Sequence, residues 1–308
     1  MPSTPSPLRY PGGKTKTYKY IKKIIEQNDL IGQTYIEPFA GGSGLALKLL
    51  LNDDVKRIVI NDFDKAIYSF WYSVLYSNDD FIKLVKKTEV STNTWNIQKE
   101  IFLNPQRYSM IEYGFSAFFL NRTNVSGVLN GGMIGGKSQN GTYKLNARFN
   151  KDDLIRKIVS IGQKRDSISL YNMDAIDFLK TELVKYRKVF INFDPPYVQK
   201  GSSLYKNSFN EEDHVRLSKE ILQCKRKWIV TYDVCELVSK LYNKCRKSYL
   251  DINYSLMEKR LAQEYIFFSP KLKLPESISL INSNQHKKEK LIITDENVKQ
   301  SQGNCIFL

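Results

Sequence analysis

Four residues that follow one apolar run have the types and spacing needed to hold an aromatic amine: Asp194, Pro195, Pro196 and Tyr197, directly after residues 189–193. Proline lacks an amide hydrogen and fixes its φ angle, so the backbone leaves a sheet there with carbonyls that no ladder uses. The exocyclic N6 of adenine is a poor nucleophile, because its lone pair is delocalised into the ring. If Asp194 accepts one N6 hydrogen and the Pro195 carbonyl accepts the other, the lone pair is directed toward an electrophile. Tyr197 offers a face on which an extruded base can stack.

A glycine-rich turn marks a second candidate site. The strand-like run 35–39 ends in Ala40-Gly41-Gly42-Ser43-Gly44, where glycine lets the backbone pass close to a ligand. A dinucleotide fingerprint that begins at Gly42 needs glycine at 47, which is Leu here, so a diphosphate ligand is disfavoured. Asp62 ends the next strand, where it can bind ribose hydroxyls or cap the following helix. A cofactor with ribose, an electrophilic methyl group and no phosphate is S-adenosylmethionine.

Three other kinds of site are disfavoured by spacing. Residues 11–15, PGGKT, resemble the end of a P-loop, but Leu8 stands where the first glycine belongs, so we do not expect ATP binding. Cysteines at 224, 235, 245 and 305 fit neither a metal knuckle nor a disulfide framework, so we expect reduced thiols and no metal. The chain has no Pro-Cys pair, so covalent cysteine catalysis on a cytosine carbon lacks its nucleophile.

The charge balance favours nucleic acid as a partner. Forty-seven Lys and Arg against 32 Asp and Glu give a net charge of +15, which bears on partners and solubility rather than on fold. The alternative is a Lys-rich and Asn-rich composition whose charge is merely solvated. The first residues lack an apolar leader, and no run reaches the ~20 apolar residues of a membrane span. We therefore expect a cytoplasmic protein that does not bind membranes.

The candidate sites require strands that end at one edge of a sheet. Strand-like runs at 35–39, 57–61, 167–172, 189–193, 228–232 and 265–268 alternate with helical segments, which predicts an α/β fold with a parallel sheet. Ligands bind at the carboxyl ends of such strands. The alternation fails between about residues 77 and 150, so we expect an inserted domain there. Its segment 127–141 holds six of the 16 glycines, and either forms a mobile loop or approaches a ligand closely.

Five segments, in this order, resemble the Dam-type (alpha-group) DNA adenine-N6 methyltransferases: PLRYPGGK at 7–14, EPFAGGSG at 37–44, NDFDKAIYSFW at 61–71, FFLNRTNVSGVLNGG at 118–132 and DPPY at 194–197. One DPPY alone is moderately specific, whereas five segments spread over nearly all of residues 7–275 are strong. The resemblance implies a Rossmann-like S-adenosylmethionine-dependent methyltransferase sheet with helices on both faces, formed by residues 1–76 and 151–275. Residues 77–150 are then a mainly helical target-recognition domain, and residues 276–308 a C-terminal extension.

The resemblance also implies roles for individual residues. Those expected to bind S-adenosylmethionine are Tyr10, Lys14, Phe39, Gly41, Gly42, Asp62 and Asp174, the last facing its adenine amino group. Those with donors and acceptors for base edges are Asn121, Arg122 and Asn124, while Lys137, Lys144 and Arg148 are expected to meet phosphates. The implied partner is double-stranded DNA, and an accompanying restriction endonuclease is left open. In the frequent cofactor pattern FxGxG the last glycine falls at Ser43 in this chain.

Two other classes of function stay open. The first keeps the chemistry and changes the substrate to adenine N6 in RNA or cytosine N4 in DNA, since both use a polar-Pro-Pro-aromatic motif. Aspartate in the first position and a full-sized inserted domain favour adenine in duplex DNA. The second is a DNA-binding module without catalysis, which would have no need for Asp194 together with Asp62 and Lys14.

Overall fold

The computed structural model describes residues 4–10, 13–198, 209–256 and 258–276, and for residues 251–262 the backbone alone. The predicted C-terminal extension, residues 276–308, lies outside the described residues except for Glu276.

Seven strands form one sheet in the described part of the chain: β1 Thr34–Glu37, β2 Arg57–Asn61, β3 Ile168–Tyr171, β4 Val189–Phe193, β5 Lys227–Asp233, β6 Arg246–Leu256 and β7 Glu258–Phe268. Their order is β3-β2-β1-β4-β5-β7-β6. Strands β1 to β5 pair in parallel, and β7 runs antiparallel to both β5 and β6. The α/β prediction is confirmed, and the order 3-2-1-4-5 is that of doubly wound nucleotide-binding sheets.

The sixth predicted run, 265–268, is the end of the longer strand β7. Strand β6 was not predicted from the sequence. A signal for β6 was present, because Leu250, Ile252, Tyr254 and Leu256 alternate with polar residues. That alternation is typical of an antiparallel strand with one solvated face.

The helices between these strands are α1 Tyr18–Gln27, α2 Gly44–Leu51, α3 Lys65–Tyr76, α4 Asn78–Lys87, α5 Thr92–Leu103, α6 Met110–Thr123, α7 Lys151–Gln163, α8 Ala175–Thr181, α9 Glu211–Gln223 and α10 Glu236–Leu241. Short 3-10 turns lie at Lys14–Thr17, Pro105–Arg107, Val125–Gly127, Leu145–Arg148, Arg165–Ser167 and Leu183–Lys185. Of the helices in the described residues, none is long and apolar enough to cross a membrane.

The apolar side chains of the sheet divide between two cores, one on each face. Successive residues of a strand point to opposite faces. Accordingly, Tyr35 and Phe190 belong to the core covered by α1, α2 and α3. Their neighbours Ile36 and Ile191 belong to the core covered by α8 and α9. Burial on both faces explains why these strands read as continuous apolar runs.

Helices α4, α5 and α6 interrupt the alternation of strands and helices, where the insertion was expected. Helix α6 packs against α3 so closely that a Cβ on Gly114 would lie 2.4 Å from the Ser69 carbonyl oxygen. The glycine-rich segment after α6 consists mainly of turns, with one isolated antiparallel bridge between Asn124 and Met133. Ser109 begins α6 with a capping box to Glu112.

Candidate active site

The carboxyl ends of β1, β2 and β4 bring the main candidate residues to one edge. Ile36 of β1 lies opposite Val59 of β2 and Ile191 of β4, so the glycine turn after β1 lies between the strands that carry Asp62 and Asp194. Those two strands are two strand spacings, roughly 10 Å, apart. The strand order reverses between β1 and β4, and such a switch point is where open α/β sheets bind ligands.

Asn61, which is fully buried at the end of β2, joins the loops that follow β1 and β3. Its Nδ2 donates to the Pro38 carbonyl at 3.0 Å and to the Met173 carbonyl at 3.1 Å. Its Oδ1 accepts the Met173 amide at 3.0 Å. These bonds fix the position of the loops after β1 and β3 relative to the end of β2.

Asp62 fixes the glycine turn through its carboxylate. Its Oδ2 accepts the Gly41 amide at 2.7 Å, and its Oδ1 accepts the Asp64 amide at 2.9 Å. Burial, and next the charge of Asp64, raise the pKa of Asp62 to about 7. Each oxygen accepts one hydrogen bond from the described residues, so each keeps a lone pair for a hydroxyl donor. The carboxylate therefore suits the two hydroxyls of a ribose.

The glycines of the turn admit the N-terminal segment of the chain. A Cβ on Gly41, whose φ is +46°, would lie 2.6 Å from the Tyr10 ring, and a Cβ on Gly42 would lie 2.9 Å from the Tyr10 Cβ. The Trp71 indole donates to the Gly41 carbonyl at 2.9 Å and holds the turn from the other side. Close approach of these glycines to a ligand, which the sequence suggested, stays a prediction.

The side chains at this edge fit S-adenosylmethionine. Four carboxylates lie at the ends of β1 to β4, namely Glu37, Asp62, Asp174 and Asp194, and such a set suits a cationic sulfonium better than a phosphate. The Phe63 ring is 61% exposed and offers an apolar face beside Asp62. Asn172 holds this corner by donating to the carbonyls of Asp62 and Phe63 at 2.7 and 3.2 Å.

Two further residues predicted to bind cofactor occupy structural positions at the same edge. Asp174 caps α8, where its Oδ1 accepts the Ile176 and Asp177 amides at 2.8 and 3.3 Å. Its Oδ2 accepts no hydrogen bond from the described residues, and so remains available to an amino group. The ring of Phe39 is half-buried, with its centroid 6.0 Å from that of Phe209.

Asp194 is held by a lysine and a threonine. Lys14 Nζ lies 2.8 Å from each carboxylate oxygen, and Thr231 donates to Oδ1 at 2.8 Å. A carboxylate has about four lone-pair sites, and these bonds occupy three. One site on Oδ2 therefore remains for an amine hydrogen. Lys14, which the resemblance places among the cofactor residues, thus contacts the candidate catalytic carboxylate directly.

Another carboxylate, that of Glu264, is buried and holds Tyr197. The Tyr197 hydroxyl donates to Glu264 Oε1 in a short hydrogen bond and lies 3.0 Å from Lys14 Nζ. Glu264 is 1% exposed on β7, and its Oε2 lies 3.4 Å from the same Nζ. The Tyr197 ring is 7% exposed, so its stacking on an extruded base stays a prediction.

Lys14 is a buried cation between two carboxylates. Burial alone would lower the pKa of Lys14, but Asp194 and Glu264 raise it overall, so the ammonium stays charged. Nearby, burial raises the pKa of Glu37 to about 7 even though the Tyr35 hydroxyl donates to it at 3.0 Å. Lys14 therefore lies between two carboxyl groups, and Glu37 is a third acid whose pKa lies near neutrality.

Two asparagines that were predicted to read bases are turned into the protein. Asn121 is 1% exposed and bonds Arg9 and Gly127, while Asn124 is fully buried and bonds Trp95 and two carbonyls. Each amide donates two hydrogen bonds and accepts one inside the protein. The structure therefore argues against base reading by these two side chains.

The basic residues predicted to contact DNA lie nearer the surface. Arg122 donates from Nε to the Arg148 carbonyl at 2.6 Å. Burial and the charges of Arg9 and Arg148 lower the pKa of Arg122 to about 10, although Asp153 raises it. Arg148 lies over the Tyr143 ring, and Lys137 and Lys144 are exposed. Within the described residues, none of these four basic side chains forms a salt bridge. Their positive charge is therefore suitable for binding phosphate.

Comparison with known proteins gives four matches. A family model for D12 class N6 adenine-specific DNA methyltransferases matches residues 10–259. The chain is 26% identical over 250 residues to the Type II methyltransferase M.CviBI of Paramecium bursaria Chlorella virus NC1A, covering 77% of this chain and 85% of the relative. It is 26% identical over 232 residues to the Type II methyltransferase M.MjaIII of Methanocaldococcus jannaschii, covering 69% and 77%. A solved structure of M. capricolum TrmK with S-adenosylhomocysteine aligns at a TM-score of 0.36 and 8% identity, covering 91% and 83%.

Proposed function

Because the chain belongs to the D12 class N6 adenine-specific DNA methyltransferase family, we propose that Asp194, the Pro195 carbonyl and Tyr197 hold the target adenine. The protein is an enzyme that methylates adenine N6 in DNA, with S-adenosylmethionine as methyl donor. That cofactor supplies an electrophilic methyl group bonded to a sulfonium. The observation that best supports our assignment is the single lone-pair site left on Asp194 by Lys14 and Thr231.

The reaction requires orientation more than a strong base. Asp194 Oδ2 accepts one N6 hydrogen and the Pro195 carbonyl, which accepts no hydrogen bond from the described residues, takes the other. The N6 lone pair is then directed out of the ring plane. With S-adenosylmethionine bound, the methyl–sulfonium bond would break as the N–C bond forms, and S-adenosylhomocysteine would be the leaving group. N6 would then be positively charged and acidic, and Asp194 would accept its proton along the hydrogen bond. The neighbouring Lys14, whose Nζ lies 2.8 Å from both oxygens, holds this carboxylate in position.

We propose that cofactor binds in the corner formed by Asp62, Phe63 and Asp174. Asp62 accepts the ribose hydroxyls, the Phe63 ring packs on the adenine, and Asp174 Oδ2 accepts from the adenine amino group. Phe39, Gly41, Gly42 and Tyr10 line the same corner. The sequence analysis missed Phe63, Trp71, Thr231 and Glu264. Only Phe63 had a local signal, since it is an apolar residue in a loop beside the ribose-binding candidate.

DNA contacts are assigned to residues 77–150, which we propose as the target-recognition domain. Arg122 reads base edges, Lys137, Lys144 and Arg148 meet phosphates, and the net charge of +15 strengthens long-range attraction to the duplex. Both curated relatives are named Type II methyltransferases. On that basis we further propose that this enzyme works alongside a restriction endonuclease. The cytoplasmic location stays a prediction.

The experiment uses tritiated S-adenosylmethionine with equimolar duplex DNA, single-stranded DNA and RNA of one sequence, followed by nucleoside analysis. We expect N6-methyladenine, formed fastest in the duplex, and no label with Asp194→Ala. A preference for RNA, or label on cytosine N4, would overturn the substrate assignment. Unchanged methylation by Asp194→Ala would overturn the site.

A further inference from the structure

The short segment from Arg9 to Lys14 contacts three functional parts of the protein. Arg9 is bonded to the inserted helix α6, Tyr10 lies on the glycine turn, and Lys14 holds Asp194. Residues 11 and 12 lie outside the described residues. A segment that contacts the recognition domain, the cofactor turn and the catalytic carboxylate is placed to connect them physically.

Asn121 attaches this segment to α6. Its Oδ1 accepts the Arg9 amide at 2.7 Å, and its Nδ2 donates to the Arg9 carbonyl at 2.8 Å and the Gly127 carbonyl at 2.9 Å. One side chain thus pairs with both backbone groups of Arg9, as a neighbouring strand would. The amide is buried and fully satisfied, so releasing Arg9 would leave polar groups without partners.

The turn that follows α6 is packed onto the same residue. Gly127 has φ +78°, and a Cβ there would lie 2.6 Å from the Arg9 carbonyl oxygen. Arg9 also donates from Nη1 to the Asn124 carbonyl at 3.0 Å. Val125, at the start of this turn, is 48% exposed. A ligand that displaces the turn must therefore move Arg9 or break these contacts.

Displacement of Arg9 reaches the cofactor site through the next residue. The Tyr10 ring fills the space above Gly41 and Gly42, where the added Cβ atoms would be 2.6 and 2.9 Å from it. Gly41 is also bonded to Asp62 and Trp71. Tyr10 therefore has little room to move independently of the turn that Asp62 fixes.

We propose that Asn121 is a positioning residue that couples DNA binding to cofactor binding through Arg9 and Tyr10. The proposal rests on the proposed function, in which residues 77–150 bind DNA; the turn 125–127, Arg122 and Arg148 belong to that domain. Duplex DNA then stabilises the arrangement in which Tyr10 and the glycine turn bind cofactor. Because coupling is reciprocal, cofactor tightens DNA binding by the same factor.

Asn121→Asp tests the coupling with little change in shape. Aspartate still accepts the Arg9 amide, but it cannot donate to the two carbonyls and places a negative oxygen against them. The matched control is Asn124→Asp, since Asn124 also accepts one N–H, from Trp95 at 2.7 Å, and donates to two carbonyls, at 2.9 and 3.0 Å. Within the described residues its side chain makes no hydrogen bond to Arg9, which donates only to its carbonyl. Both variants therefore lose the same kinds of hydrogen bond.

The measurement is the dissociation constant of S-adenosylhomocysteine with and without a saturating duplex. In the wild type we expect DNA to tighten this binding about tenfold or more, within the range typical of coupled sites. Asn121→Asp should reduce this tightening by DNA to less than about twofold, while Asn124→Asp should keep it at the wild-type value. We expect the two variants to lose similar amounts of melting temperature. Should Asn121→Asp not fold, the smaller change Asn121→Ser, which also loses the donated bonds, is measured in the same way.

Three results would overturn the coupling: a wild-type factor near one, an unchanged factor in the Asn121 variant, or an equal loss in the Asn124 control. Failure of the coupling is distinct from failure of the proposed function. An enzyme that forms N6-methyladenine but shows a factor near one refutes only the coupling. A protein that methylates no DNA refutes both.

Discussion

Replacing Asp194 by asparagine tests the catalytic geometry with almost no change in volume. The asparagine oxygen has two lone pairs, which Lys14 and Thr231 would occupy, because both donate to Asp194 Oδ1 at 2.8 Å. The amide nitrogen would then stand where Oδ2 is now. It would point N–H groups toward Lys14 and toward the N6 hydrogen of the substrate. The hydrogen bond that Oδ2 accepts from N6 is thereby replaced by two N–H donors that face each other.

The expected loss follows from two contributions. A hydrogen bond to a charged group is worth about 1.5–3 kcal/mol, and an unsatisfied donor costs about 1–3 kcal/mol. Their sum corresponds to a fall in kcat on the order of 10²- to 10⁴-fold, since each tenfold change is about 1.4 kcal/mol. The dissociation constant for duplex DNA should stay within a few-fold of the wild-type value, because Asp194 is not one of the basic residues assigned to DNA.

The assay is single-turnover transfer of tritiated methyl to a saturating duplex, with duplex affinity measured separately. The matched control is Asp166→Asn, the same change at a carboxylate whose side chain is 94% exposed; it should retain full activity. If Asp194→Asn kept more than about a tenth of the wild-type rate, the lone-pair argument would be refuted.

Four further predictions concern the neighbours of this carboxylate, the proposed cofactor corner and the surface charge. Tyr197→Phe keeps the ring and removes the hydroxyl that bonds Glu264 and Lys14, so we expect kcat to fall roughly tenfold; activity equal to wild type would show that the ring alone matters. In a double-mutant cycle, Glu264→Gln should add little to that loss, and fully additive losses would contradict their contact. Cofactor affinity should rise about tenfold between pH 6 and 8 as Asp62, with a pKa of about 7, ionises and becomes a better acceptor. Asp62→Asn should weaken this pH dependence, leaving only that of Glu37. An unchanged slope in this variant would exclude Asp62 as the source of the pH dependence. Duplex affinity should fall steeply with salt through counterion release, whereas a flat response would show that the charge is merely solvated.

The sequence was sufficient to predict the parallel strands and the edge that carries the site. Continuous apolar runs such as 189–193, each ending in polar or glycine residues, indicate both a buried strand and its carboxyl end. The contacts of the catalytic residues could not be predicted in this way. Lys14 and Glu264 are 180 and 70 residues from Asp194, and no periodicity encodes contacts over such separations.

The misjudged asparagines show where a stronger signal was available. Asparagine at the end of a helix can face solvent, bases or protein, and its type does not distinguish among these. The residues of α6 before Asn121, however, are apolar on all sides of the helix from Tyr113 to Leu120, with Ser116 as the exception. A helix that is apolar all round is buried, so its polar residues need partners within the protein. Burial of Asn121 was therefore predictable, although its partner Arg9, 112 residues away, was not.

The distribution of charge links the two ligands of this enzyme. The chain carries a net charge of +15, yet the ends of β1 to β4 present four carboxylates and one buried lysine. A polyanionic duplex and a cationic sulfonium require opposite potentials, and a low-dielectric pocket lets the local carboxylates dominate over distant surface charge. Raising salt should therefore weaken duplex binding far more than cofactor binding. Arg9, which bonds α6, and Lys14, which bonds Asp194, contact these two environments from nearby positions in the chain.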